Sequence, residues 1–267
     1  MAFVIYMRNL PTSRSAFTLV ELSIVLVILG LLVGGVLAGQ SLIHAAELRA
    51  ATTEYTNYKT ALGAFREKYS ALPGDMTNAV KFWGAAPAAS SDADGPDGAC
   101  MVTTTPSTDA TTCNGNGDGH IVDPEMFRAW QHLANAGLVE GVYTGVTSGP
   151  IATFMSAAGT NVPRSKLAQG GWTLIWLGSG GGSYFTINYR NALALGANAM
   201  MSISNGAFLK AEDAYTIDMK IDDGKPNTGI VSAFPSASRP NCTAGTDDAY
   251  LLSDTTTGCN LFFTTGY

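Results

Sequence analysis

The stretch of this chain whose residue types and spacing best suit ligand chemistry is Asn114-Gly115-Asn116-Gly117-Asp118-Gly119-His120-Ile121-Val122-Asp123-Pro124-Glu125. A calcium loop of the EF-hand type takes oxygen ligands from its first, third and fifth positions and needs glycine at the sixth. It uses the backbone carbonyl of the seventh and closes with a glutamate at the twelfth. Asn114, Asn116, Asp118, Gly119, the His120 backbone and Glu125 fall on those positions, and Ile121 fills the apolar eighth. Asparagine replaces the usual aspartate at the first position, which lowers the ligand charge, and a loop cysteine rather than a helix precedes the stretch. The same residues also suit a glycine-rich turn with Asp123 capping the helix that follows. A structural calcium ion is the one cofactor these residues suggest. A second acidic turn, Asp218, Asp222 and Asp223 before Gly224-Lys225-Pro226, is a weaker metal candidate and reads first as a structural turn. Asp92, Asp94 and Asp97 read as a solvated loop.

Catalytic chemistry has little support. The histidines are His44, His120 and His132, in three different settings. The sequence holds no G-x-S-x-G, P-loop, H-E-x-x-H or G-x-G-x-x-G, and Ser165-Lys166 lacks the S-x-x-K spacing. The chain is not expected to be an enzyme.

A different carboxylate demands a partner. Phe17 to Gly39 is an apolar run whose only charge is Glu21. As a helix rising about 1.5 Å per residue, such a run spans the roughly 30 Å core of a bilayer. It is too long for a signal-peptide core, and no cleavage site of small residues follows it cleanly. An ionised carboxylate facing lipid unpaired costs roughly 2.5–3.5 kcal/mol or more. No basic residue follows until Arg49. A new N-terminal amine, made by cutting the chain just before Phe17, would serve as the missing partner.

Ala16-Phe17-Thr18-Leu19-Val20-Glu21, after basic Arg14 and before the unbroken apolar run, resembles the cleavage and methylation segment of type IV prepilins and type II secretion pseudopilins. The resemblance implies that a membrane prepilin peptidase cuts between Ala16 and Phe17 and methylates Phe17. It implies that Glu21 then pairs with the amine of a neighbouring subunit during assembly. Where the family usually has glycine before the cut, this chain has Ala16. Where many pilins have a proline in the membrane helix, it has Ala38. The implied partners are other pilin-like subunits in a homo- or hetero-oligomeric filament, the peptidase and an inner-membrane assembly platform. The implied fold is α+β and pilin-like: a long N-terminal helix on a small antiparallel sheet. Calcium near the C-terminal loop is a pseudopilin feature, which bears on Asp218, Asp222 and Asp223.

Composition fits an anchored, exported protein. The 267 residues are 46% apolar and only 13% charged, enough for an anchor and one sizeable globular domain. Net charge is −6, and becomes −8 without residues 1–16, which hold Arg8 and Arg14 and no acid. An acidic head argues against general nucleic-acid binding, which needs lysines and arginines to neutralise phosphates. Arg8 and Arg14 lie before the apolar run, so the N-terminus is expected in the cytoplasm and the head outside. This gives a single-pass inner-membrane protein with a periplasmic head before assembly, and an extracellular or periplasmic filament after it. Four cysteines in polar loops suit that oxidising side. They allow three pairings, of which the sequential one, Cys100–Cys113 with Cys242–Cys259, is expected.

These residues must be positioned by a helix that changes character. Beyond Gly39, the residues Leu48, Ala51, Tyr55, Tyr58, Leu62, Phe65 and Tyr69 recur at steps of three and four, one face of an amphipathic helix. One helix is expected from about Phe17 to Ser70, stopped by Leu72-Pro73-Gly74-Asp75. The chain thus divides into a leader (1–16), a membrane and assembly half of the helix (17–39), an amphipathic half (40–72) and a globular head (73–267). In the head, Thr77 to Phe82 suits a helical turn and Glu125 to Asn135 a helix with Pro124 at its start and Gly137 past its end. Gly171–Leu177 and Tyr184–Tyr189 read as strands joined by Gly178–Ser183. Asn205–Tyr215 is ambiguous, Thr216–Ile221 suits a strand or a helix end, and Tyr250–Leu252 and Leu261–Thr264 suit short strands. The order of elements is α+β rather than alternating βαβ.

Three functional readings follow. The first is a structural subunit of a type IV pilus-type filament. The second, close to it, is a secretion-system pseudopilin or a minor pilin. The third is a monomeric membrane-tethered binding protein with an uncleaved signal anchor.

Overall fold

A computed structural model of the chain describes residues 18–86, 110–122, 125–147, 156–167, 170–178, 189–198, 203–234, 238, 240–245 and 248–267. The chain divides into two compact units, Met1–Ala45 and Ala46–Tyr267. The leader, Ala16, Phe17, Cys100, Asp123, Pro124 and the Asp92/Asp94/Asp97 cluster lie outside the described residues.

Helix α1, Leu19–Tyr69, is 51 residues long and contributes to both units. Its first part is apolar on every side. From Leu19 to Ile43 the large aliphatic side chains are all at least 50% exposed, with no buried stripe among them. A helix of this kind belongs in lipid or against other helices rather than in water, and α1 is long and apolar enough to cross a membrane.

From Ala46 onward the same helix is amphipathic. Leu48, Ala51, Tyr55, Ala61, Leu62 and Phe65 are buried, and Tyr58 and Tyr69 pack against the core. The face they form rests on a sheet. The Tyr55 ring stacks on Phe263 at 5.0 Å and its hydroxyl donates to the Thr264 carbonyl at 3.0 Å. Tyr58 meets Trp130 and Trp172 edge-on. Glu54, a polar-face residue by sequence, accepts from Trp172 Nε1, Ser165 Oγ and the Lys166 N–H. The helix stops where Ser70 takes a left-handed φ of 54° and Pro73 disfavours helix in Leu72.

After it come α2 (Val80–Trp83), α3 (Glu125–Asn135), β1 (Gly171–Leu177), β2 (Arg190–Gly196), α4 (Ala211–Ile221), β3 (Val231–Ala233) and β4 (Leu261–Thr264). The described strands form one four-stranded sheet in the order β1-β2-β4-β3, antiparallel throughout. Its registers pair Leu174 with Leu193, Leu193 with Phe263, and Phe263 with Val231. The architecture is α+β, a long helix on a small antiparallel sheet.

Several elements differ from the sequence expectations. The described partner of β1 is Arg190–Gly196; residues 184–188 of the expected strand lie outside the described set. In β2, Ala192 to Leu195 are all fully buried, so the strand lacks the alternation that marks a half-exposed one. Ala211–Ile221, read as ambiguous and then as strand or helix end, is a helix. Ala211, Ala214, Ile217 and Asp218 are buried at helical spacing, and that period prevails over the β-branched Thr216 and Ile217. Tyr250–Leu252 forms only an isolated bridge, Thr243 to Tyr250. A disulfide joins Cys242 to Cys259 across a separation of 17 residues. Cys113 is also disulfide-bonded.

Phe263 is fully buried between Tyr55 and Trp172. Phe263→Ala is expected to cost about 3–5 kcal/mol in denaturant unfolding of the detergent-solubilised chain. Leu252→Ala, at a half-exposed site, should stay within about 0.5 kcal/mol of the parent.

Candidate functional site

At the N-terminus the described helix opens on Thr18-Leu19-Val20-Glu21. The Thr18 N–H and hydroxyl both donate to Glu21 Oε2 at 2.8 Å, and the Glu21 N–H donates back to Thr18 Oγ1 at 3.2 Å. This is a reciprocal capping box. The carboxylate thus has partners within its own turn. T-x-x-E in the sequence is the signal for this box, and it engages the carboxylate without a cation. Farther along, a Cβ added at Gly30, Gly34, Gly35 or Gly39 would meet nothing within 4 Å, so no contact among the described residues requires glycine there.

The second grouping is in the head, where three segments meet backbone to backbone. The turn Leu72–Met76 lies against the start of α3: a Cβ on Gly74, whose φ is +88°, would sit 2.5 Å from the Glu125 carbonyl. The glycine-rich loop lies against the same turn: a Cβ on Gly115 would sit 2.4 Å from Asp75 Cα. Gly115 N–H donates to the Met76 carbonyl at 2.9 Å. Asp75 then grips the loop with both oxygens, accepting from the N–H groups of Gly117 at 2.6 Å and Gly119 at 3.0 Å. From the sheet, buried Asn191 accepts from the Ile121 N–H at 2.9 Å and donates to the Gly119 carbonyl at 2.8 Å.

This places the expected ligand residues unevenly. Asp118 and Glu125 come together, and Asp75 joins them from outside the expected loop, with one oxygen of each within 4.8 Å of the others. Asn114 turns to α2, its Oδ1 accepting from the Val80 N–H at 3.0 Å. The Asn116 side chain is engaged with Asp118, and its N–H donates to Glu125 Oε1. The His120 N–H donates to Asp118 Oδ1 at 2.7 Å, and its ring stacks on Trp176 at 3.9 Å. Burial pushes the Glu125 carboxyl up to about 7, with the charges of Asp75 and Asp118 adding to the rise. Asp75 is raised chiefly by burial, against the pull of its two glycine N–H donors.

Asp218, Asp222 and Asp223 also bring oxygens within 4.8 Å of one another. There each carboxylate is engaged by the fold. Asp218 accepts from Tyr250 Oη and the Gly224 N–H, Asp222 from the N–H groups of Ile230 and Val231, and Asp223 from the Lys225 N–H and Thr228 Oγ1. Burial raises Asp218 to about 7. Both acidic groups have a composition that could hold a metal.

Against known families, residues 11–37 match the model of the prokaryotic N-terminal methylation motif. The N-terminal segment is therefore of the type IV prepilin and pseudopilin class. No curated protein and no solved structure matches the chain.

His132 braces the turn that carries Asp75. Its Nδ1 accepts from the Gly74 N–H at 3.0 Å, which leaves Nε2 to donate to Thr112 Oγ1 or the Cys113 carbonyl. Burial first, and the charge of Arg128 second, push its pKa down to about 3 from the ordinary 6.5. The unfolded chain therefore binds the proton first. The contribution to stability is complete above pH 6.5 and is lost as pH falls below it, at up to about 1.4 kcal/mol per pH unit. Urea unfolding of wild type and His132→Gln at pH 7 and pH 5 checks this, the carboxylates cancelling in the comparison. The stability advantage of wild type should shrink at pH 5, and an advantage independent of pH would contradict it.

Proposed function

We propose that this chain is the precursor of a structural subunit of a type IV pilus-type filament. The observation that carries the reading is the methylation motif over residues 11–37, overlapping a helix whose large aliphatic side chains from Leu19 to Ile43 are all exposed among the described residues. Lipid covers them before assembly, and neighbouring subunits cover them afterwards. The leader holds the precursor in the inner membrane with the head outside. Prepilin peptidase cuts between Ala16 and Phe17 and methylates Phe17, and the assembly platform passes the helix from lipid into the filament.

Glu21 sets the axial register in this reading. Before assembly its carboxylate is held by Thr18. In the filament it meets the Phe17 amine of an adjacent subunit, and a misplaced subunit would leave two charges unpaired in an apolar bundle. Glycines 30, 34, 35 and 39, with open space where a side chain would be, allow neighbouring helices to approach closely.

Glu21→Val is expected to be processed and inserted normally yet to be missing from sheared surface filaments. Mass spectrometry of the N-terminus reads the first step, giving methyl-Phe17 in both forms, and immunoblots of the sheared fraction read the second. Filaments formed normally by the variant would remove the pairing role. A mature protein that retains Met1 and stays monomeric in the membrane would point to a tethered binding protein instead. Assembly only in a periplasmic secretion machine would point to a pseudopilin.

A further inference from the structure

We propose that Asp75, Asp118 and Glu125 form a calcium site that fastens the turn after α1 to the glycine-rich loop and to the first turn of α3. Three observations carry it. First, one oxygen from each carboxylate lies within 4.8 Å of the other two. Second, Glu125 is only 3% exposed, and while its Oε1 accepts from the Asn116 N–H, its Oε2 is buried with no hydrogen-bond partner among the described residues. Third, the backbones that carry the three residues are in direct contact through Gly74 and Gly115, where a side chain would collide, so the carboxylates are held together by the fold.

A buried carboxylate with one oxygen unpartnered, beside two further carboxylates, is an arrangement that a cation completes. The contrast with Asp218, Asp222 and Asp223 is direct. That cluster is as tight, yet hydroxyl and N–H donors within the fold engage all three of its carboxylates. At Asp75, Asp118 and Glu125, donors also reach each residue: Gly117 and Gly119 on Asp75, His120 and Asn116 on Asp118, and Asn116 on Glu125 Oε1. The Val122 backbone N–H also lowers the Glu125 pKa. The difference is Glu125 Oε2, buried with no hydrogen-bond partner among the described residues.

The donor set selects the cation. Three carboxylates with no sulfur ligand suit a hard ion, and a site shared between a turn, a loop and a helix start suits calcium, which accepts irregular oxygen coordination. Magnesium needs near-ideal octahedral geometry and gives up water reluctantly, and zinc favours nitrogen and sulfur. His120 Nδ1, 3.9 Å from Asp118 Oδ2, is on an exposed side chain stacked on Trp176 and is not counted among the ligands. The ligand set differs from the linear twelve-residue loop: Asp75 replaces Asn114, which is committed to α2.

The test uses the full chain in detergent micelles, stripped with EGTA and titrated with calcium chloride or magnesium chloride. Calorimetric titration and thermal unfolding are the readouts. Wild type should bind one calcium per chain with a saturable rise in Tm, and magnesium should give a smaller rise at equal concentration. Asp118→Asn, an exposed change that leaves the Asp75 grip intact, should weaken calcium binding by about tenfold or more. Glu125→Gln should lose the calcium response while its Tm in EGTA is no lower than that of wild type, because an amide donor replaces a buried charge that faces carboxylates. A purely structural glutamate would instead lower the Tm in EGTA. If Glu125→Gln does not fold, Asp118→Asn decides alone. The proposal is overturned if wild type shows no saturable calcium binding, or if Asp118→Asn binds calcium as wild type does.

Discussion

The aromatic face of α1 between Leu48 and Tyr69 is the surface to which the head is fitted. Tyr55, Tyr58 and Phe65 meet residues from the far side of the sequence: Phe263 and Thr264 of β4, Trp172 of β1, and Trp130 and His132 of α3. Burial of large aromatic surface is the strongest local driving force available to a domain of this composition. The hydrogen bonds of Tyr55 to Thr264 and of Glu54 to Trp172 fix the rotation of the helix on that surface, since a slip of one residue would break both. The part of α1 beyond Ala45 thus sets the packing of its own unit, and the aromatic residues that do this differ in kind from the aliphatic ones of Leu19 to Ile43.

The turn that ends α1 transmits that fixed position to the loops. Gly74 is wedged against α3, His132 accepts from its N–H, and Asp75 reaches the N–H groups of Gly117 and Gly119. The loop is held again from the sheet by Asn191. A segment rich in glycine would lose much conformational entropy in adopting one shape, and here that loss is offset by side chains of two different elements gripping its backbone.

What the sequence made legible was whatever is local. The apolar run is legible from its length and composition, and the amphipathic stripe and the helix over Glu125–Asn135 from their period; α1 and α3 cover these stretches. The pairing of Asp118 with Glu125 was legible for the same reason, being a spacing within one loop. Asp75 was not, because its partners at Gly117 and Gly119 are some forty positions away and nothing in L-P-G-D distinguishes a carboxylate that binds from one that merely ends a helix. β2 was missed because Ala192 to Leu195 are buried on both faces, and a strand with no exposed side loses its alternation. β3 is three residues long and acquires its identity only from β4.

The strand order has a consequence for how the molecule comes into being. β4 comes after the other described strands in sequence, yet it lies in the middle of the sheet, between β2 and β3, and it supplies Phe263 and Thr264 to Tyr55, 209 residues upstream of its hydrogen-bond acceptor. A polypeptide that emerges amino end first must therefore leave the tyrosine face of α1 and the sheet incomplete until β4 arrives. Closure of the sheet waits on β4, and a chain that stops short of it leaves the β2 edge unpaired and β3 without its partner strand.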